Sequence, residues 1–508
     1  MDIRPLIAVL GALLLAMPAG AGETSDLIQR VRAWRAGQEK AILEELVSFL
    51  AIPNHAADGP NIERNAAAIS AMLAKRGIEP RLLRHGEAPP AVVGELRAPA
   101  AAQTITFYAH YDGQPVDPAS WSSDPFKPVV RARSSDGTET TITWREAKKI
   151  DPEWRIQARS ASDDKAPIVA MLVALDALRS LGIRPQVNIR FFFEGEEEAG
   201  SPNLERILQT HEDELRTDAW ILSDGPVHQT RRRQVVFGVR GVQGMSITTY
   251  GANRGLHSGH YGNWAPNPIS LLTHLIASMR DIEGNILIDG FYDDVRLPTS
   301  GELDAVRASP QIDEALKREL GLARSEGNGA RLDERILLPA LNLRGIASGS
   351  VGERAANVIN PTATASIDFR LVPDQTPAAL KERVEAHIRD KGFFVTAETP
   401  DHAMRRAHPK IARVTWDSGY APARTPMDLP LSRSVISIVR SISPEGIVIT
   451  PSLGGSIPMY LFRRNDTPVV AVPMVNHDNN QHAADENLRI QNLWEGIETF
   501  AALFAELR

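Results

Sequence analysis

Five groups of polar residues could do chemistry together. His110-Tyr111-Asp112 places an imidazole and a carboxylate two positions apart at the end of the apolar run Thr104–Ala109. In extended backbone, positions i and i+2 point the same way. The ring can then ligate a metal while the carboxylate orients it. Ser160-Ala161-Ser162-Asp163-Asp164-Lys165 stands just before an apolar helical stripe. Glu194-Gly195-Glu196-Glu197-Glu198 sets four carboxylates behind three phenylalanines, Asp224 follows Ala219–Leu222, and His482 lies in the polar stretch 476–487 with His477 as a rival. Each has a plain reading of its own: a helix cap for the aspartate pair, a solvated loop for the glutamates, a turn for Asp224, a polar loop for the histidines. Together, hard and borderline ligands close five separate apolar elements. That pattern points to a bound metal pair, because a divalent cation relieves the repulsion among so many carboxylates.

Composition narrows the chemistry. The 508 residues contain no cysteine, so disulfides, thiol catalysis, iron–sulfur clusters and Cys-type zinc sites are excluded. Any metal must sit on His, Asp and Glu. The formal charge of −7 offers no basic footprint, so no nucleic-acid partner is expected. The run Leu6–Met17 is shorter than the roughly 20 residues of a spanning helix. Pro18 and Ala19-Gly20-Ala21 after it resemble a cleavage site. The expectation is a signal peptide over 1–21 and an exported chain, periplasmic or secreted, with no stable membrane insertion after cleavage.

The elements that must position these groups follow from periodicity. Ile42, Leu43, Leu46, Phe49 and Leu50 fall at helical spacing, as do Ile62, Ala66, Ile69 and Leu73, and Ile168 to Leu178. Between them lie strand-like runs at 104–109, 187–193 and 219–222. Such alternation predicts an α/β fold, a mostly parallel sheet covered by helices on both faces. From 241 to 420 the order becomes βαββαβ, which predicts an inserted two-layer α+β domain. After 420 the first pattern resumes with a strand at 467–472 and a closing helix at 488–507. The expected boundaries are 22–240 and 421–508 for the two parts of a catalytic domain, and 241–420 for a dimerisation or lid domain.

The motifs AHYDGQPVD, SASDDK, EGEEEAGS, SDG, GLHSGHYG, NVINPTATASIDFRLVP, GGSIP and QHAADEN occur in this order. In sequence and spacing the chain resembles the co-catalytic di-zinc metallopeptidases and amidohydrolases that include carnosinase, carboxypeptidase G, aminoacylase and succinyl-diaminopimelate desuccinylase, most closely the carnosinase-like branch. The resemblance implies two Zn²⁺ per chain, with Mn²⁺ or Co²⁺ as alternatives. Asp163 then bridges, His110 and Asp224 complete one site, and Glu198 and His482 complete the other. It implies Glu197 as general base, Asp112 as the residue steering His110, and His257 as an oxyanion donor reaching the partner site of a homodimer, with His260 as its near rival. Asn357, Arg370, Gly455 and Ser456 are implied substrate contacts. The substrate implied is a small peptide or an N-acyl amino acid. A catalytically inactive binding member and a hydrolase of non-peptide amides are the competing expectations. Two departures stand out: Ala166 where the family usually has glycine, and Ser452-Leu453 where the carnosinase branch has Arg-Glu.

Overall fold

The computed structural model describes residues 21–99, 101–134, 137–455 and 457–508. The leader reading therefore lies almost wholly outside the described residues. Among them, no helix is long and apolar enough to cross a membrane.

An eight-stranded sheet forms the frame. Its order is Pro80–Leu83, Ala91–Leu96, Asn188–Glu194, Thr104–His110, Ala219–Leu222, Val469–Ala471, Gln234–Val236 and Val448–Thr450. The four central strands, from 188–194 to 469–471, run parallel, and antiparallel pairs appear on either side of them. Side chains alternate between faces. Phe107, Phe191 and Phe193 turn to the long closing helix, where Phe107 meets Phe504 edge-on at 4.7 Å. Tyr108 and Phe192 turn to the other face, where Tyr108 lies 4.9 Å from Phe462. Lys165–Ser180 and Ile490–Glu506 pack side by side on the first face. The shorter Leu204–Thr210 and Met459–Phe462 cover the second.

A second, five-stranded sheet comes entirely from residues 241–420. Its order is Ala340–Ala347, Thr362–Leu371, Gly241–Tyr250, Ile411–Tyr420 and Phe394–Thr396. Helices Pro268–Met279 and Pro377–Asp390 bury Leu272, Met279, Leu380 and Val384 against Met245, Ile247 and Phe369. The chain crosses between the sheets twice, and the two crossings pair at Gly238–Val239 with Ala423–Arg424. A Cβ on Gly238 would lie 2.5 Å from the Ala423 carbonyl, and one on Gly241 would lie 2.5 Å from the Tyr420 carbonyl. Only glycine lets these backbones pass so closely.

The closing helix begins at Ile490, not at Leu488. Asn487–Arg489 instead forms a strand against Arg155–Gln157. The Asn476 side chain accepts from the Arg489 amide at 2.7 Å and the Trp154 carbonyl from the Ile490 amide at 2.9 Å. These partners satisfy the backbone without a further helical turn. The strand belongs to a four-stranded sheet with Val129–Arg133 and Glu139–Thr141, an element that sequence periodicity did not announce. The stretch 280–339 likewise adds three short helices, at 300–308, 313–319 and 332–336.

Candidate metal centre

Each candidate ligand sits where the frame ends. His110 is the last residue of its strand, Glu197 and Glu198 follow the strand ending at Glu194, and Asp224 follows the strand ending at Leu222. These are the carboxyl ends of parallel strands, where open α/β sheets place ligands. Asp163 lies just ahead of helix Lys165–Ser180, and the Asp163–Asp164 peptide is cis. His482 comes from the loop after Val469–Ala471 and has φ +60°. The cap expectation for Asp164 fails in detail. It occupies the cap position, yet its side chain makes no cap bond and accepts from the His110 amide at 3.2 Å.

Two ligand groups form, His110–Asp163–Asp224 and Asp163–Glu198–His482, with the donor atoms of each within 4.8 Å of one another. Asp163 belongs to both. Its two oxygens face opposite ways, Oδ1 at 3.0 Å from His110 Nε2 and Oδ2 at 3.1 Å from His482 Nε2. His482 Nε2 also lies 3.2 Å from Glu198 Oε2. Ligands about 2.0–2.1 Å from one tetrahedral zinc would stand about 3.3 Å apart, so these separations suit a shared ion. His477 is exposed and belongs to neither group.

The electrostatics fit the same conclusion. Burial, reinforced by the Asp163 carboxylate, pushes Asp224 up to about 7. Burial also drives Glu197 well above the usual carboxylate range; the His110 charge opposes this and Asp224 adds to it. Asp163 goes the other way: burial resists, but hydrogen bonds from His110 and His482 hold it low. Those to Asp163 and Glu198 raise His482 to about 10. A buried cluster so short of cationic charge is one that divalent ions complete.

Asp112 is the positioning group. Oδ1 lies 3.4 Å from His110 Nδ1 and accepts from the Glu197 amide at 3.0 Å, while Oδ2 accepts from the Glu198 amide at 3.0 Å. One carboxylate thus fixes a ligand ring and the turn that carries both glutamates. Gly195 permits that turn, because a Cβ there would collide with the Tyr111 hydroxyl.

Sequence reasoning missed two contributors. Buried Glu486 takes hydrogen bonds from Arg159 Nη1 at 2.8 Å, from the Ser160, Ser162 and Asp163 amides at 2.9 Å each, and from the Ser162 hydroxyl at 2.9 Å. Gln114 donates to Glu198 Oε2 at 2.8 Å. Glu486 lies inside the QHAADEN motif, and its spacing from His482 was the signal available.

Three of the implied substrate residues, His257, Asn357 and Arg370, lie within 241–420, and only Arg370 is on the five-stranded sheet. His257 is exposed, pairs with Val358 across a two-residue ladder, and accepts from the Gly259 amide through Nδ1 at 3.1 Å. The His260 ring lies 4.4 Å away, and the Asn357 carbonyl accepts from the Ser258 amide at 2.9 Å. Arg370 donates from Nε to Asp368 at 2.7 Å. Gly455 faces open space. Ser456 lies outside the described residues. Leu453 bridges Val239 and packs against the apolar cluster of Tyr108 and Phe462.

A parallel-sheet frame with a carboxylate shared between two His/Asp/Glu sets defines a metal-dependent hydrolase. The chain belongs to peptidase family M20/M25/M40, whose profile matches residues 106–506, and it is a metal-dependent peptidase. It is 26% identical over 506 residues to the human Beta-Ala-His dipeptidase, covering 95% of this chain and 90% of that one. With the Cys-Gly metallodipeptidase dug1 of Schizosaccharomyces pombe it shares 28% over 429 residues, 82% of this chain and 83% of the other. Among solved structures, the M20 family metallo-carboxypeptidase Sso-CP2 from Sulfolobus solfataricus superposes with a TM-score of 0.72 at 27% identity, over 92% of this chain and 98% of that one.

Proposed function

We propose that the chain is an exported, homodimeric dipeptidase that holds two zinc ions on His110, Asp163, Asp224, Glu198 and His482. The carrying observation is the position of Asp163, whose two carboxylate oxygens point one into each ligand set. Ions bound there supply Lewis acidity, which polarises an amide carbonyl and acidifies water. Glu197 is adjacent to the ligand Glu198 yet belongs to neither set, so it takes the proton of the attacking water and passes it to the leaving amine. Asp112 keeps Glu197 and His110 in register while this happens. Arg370 pairs with the substrate carboxylate. His257 donates to the developing oxyanion from the partner subunit.

Support for dimerisation comes from the second sheet. Its edge strand Ala340–Ala347 is exposed along most of its length and carries exposed Leu343 and Ile346; Val351, Val358 and Trp264 are exposed elsewhere in 241–420. A long apolar edge is a template for pairing.

A second substrate class has its own observation. Leu453 leaves its position uncharged. Two acids that could substitute are engaged elsewhere: Glu196 accepts from Asn203 at 2.7 Å and Asp478 pairs with Arg155 at 2.6 Å. With Leu453 in place of a glutamate and these two acids already paired, N-acyl amino acids compete with dipeptides. The test is kcat/KM for β-alanylhistidine, cysteinylglycine, their N-acetyl forms and their C-terminal amides. The expected result is turnover of free and acetylated forms within about tenfold of each other and a loss on amidation of about a hundredfold, the size of one charge-assisted contact. An absolute demand for the free amine contradicts the reading of Leu453. Hydrolysis of none of these compounds by metal-loaded enzyme contradicts the dipeptidase proposal in favour of another amide substrate.

A further inference from the structure

The first crossing strand holds the glycine turn at 454–455. The Leu453 amide donates to the Gly238 carbonyl at 2.8 Å, and Leu453 bridges Val239. One residue further on, the Arg240 guanidinium donates to the Gly454 carbonyl from Nε at 3.2 Å and from Nη2 at 3.0 Å. A Cβ on Gly454 would meet Ile336 at 3.3 Å and Arg240 Nη2 at 3.5 Å, so this side of the turn is walled in. Gly455 has nothing within 4 Å of its Cβ position, so the next residue faces open space.

Arg240 is also placed at a junction of charge. It stands immediately before the strand Gly241–Tyr250, in which Val242 lies opposite Arg370 and Gly244 opposite Asp368. Arg370 is bonded to Asp368 at 2.7 Å. Burial, and then the Arg370 guanidinium, push Arg240 down to about 10, so the two arginines feel each other. An anion entering here relieves that repulsion.

We infer that Arg240 is a positioning residue for substrate carboxylate, fixing the Gly454–Gly455 turn against the arginine-bearing sheet so that the turn and Arg370 close on the same carboxylate group. This rests on the proposed reading of Arg370 and Gly455 as substrate contacts. Neither of the nitrogens that hold Gly454 need touch substrate. Their effect is transmitted through the turn.

The test compares Arg240→Met, Arg240→Lys and Arg370→Met on the fastest dipeptide of the panel and on its C-terminal amide, with metal content measured on each protein. Arg240→Met is expected to raise KM for the free acid about tenfold or more, with kcat within about threefold and the amide unaffected, because a fixed fork has been removed from a bidentate contact. Arg240→Lys keeps the charge but only one directed bond, and its KM is expected between the two. If Arg240→Met does not fold, the lysine variant carries the test alone, with a rise of several-fold on the acid only. Equal effects on acid and amide, or no effect on either, overturn the inference. Arg370→Met distinguishes the two readings. If it leaves acid-over-amide discrimination intact, the carboxylate reading itself fails. If it abolishes discrimination while the Arg240 variants retain it, only the role of Arg240 fails.

Discussion

Adjacent Glu197 and Glu198 are chemically identical and are separated in role by what surrounds them. The Glu198 carboxylate meets His482 and Gln114. The Glu197 carboxylate is pushed toward its protonated form by burial, with the His110 charge opposing and Asp224 reinforcing. A group near that balance is suited to moving a proton. Glu197→Gln is therefore expected to keep both metals and the fold while kcat falls by about three orders of magnitude or more, since only the proton shuttle is removed. Glu198→Gln is expected to lose metal from one site. Metal analysis beside steady-state kinetics separates them, and equal metal content in the two variants would reverse the assignment. The ligand types were legible in sequence because each closes an apolar run. The pairing of Asp163 oxygens with opposite histidines was not, since it depends on a loop shape that short-range pattern does not encode.

Among the connecting segments, the loops 159–163 and 482–486 act as one piece through Glu486. Five donors converge on its buried carboxylate, including the Asp163 amide. Glu486→Gln replaces an all-acceptor group with one that also donates, and leaves Arg159 without its anion. The expected cost is about 3–5 kcal/mol of stability, the usual effect of breaking a buried pair. Metal affinity is expected to fall about 10- to 100-fold, as for other residues that orient ligands. Denaturant melts and competition with a chelator read the two effects; unchanged affinity would make Glu486 purely structural. The helical stripes at 42–50 and 62–73 and the strands at 104–109 and 219–222 were readable because one face of each is apolar, Asn65 alone interrupting the second stripe. The four-stranded sheet around Val129–Arg133 was not, because its strands are short and largely polar, with Glu139–Thr141 wholly exposed. Lys165 belongs to a chemistry-bearing motif yet is buried, donating to the Phe49 and Ile52 carbonyls at 3.0 and 2.8 Å, so its work is to cap a helix end.

Over the whole chain, residues 241–420 carry His257, Asn357 and Arg370, while the residues on either side of that stretch carry both ligand groups. In the proposed dimer the exposed edge strand 340–347 is the surface for the second copy. If each site is composite, a subunit with His257→Ala and a subunit with Glu197→Gln are both inactive alone. A heterodimer of the two contains one intact site of its two. Activity is expected to return to about half of wild type per dimer, counting sites as independent. Verified heterodimers that stay inactive would place His257 outside the partner's chemistry.

Metal stoichiometry on the purified chain and on Asp163→Asn tests directly whether one aspartate joins two metals. The wild-type protein is expected to carry about two zinc ions per chain, to lose activity on exhaustive chelation and to regain it with zinc. Asp163→Asn is expected to carry far less than one, because both ligand sets lose a member. Full activity in the chelated protein, or two metals retained by Asp163→Asn, would contradict the shared-carboxylate centre.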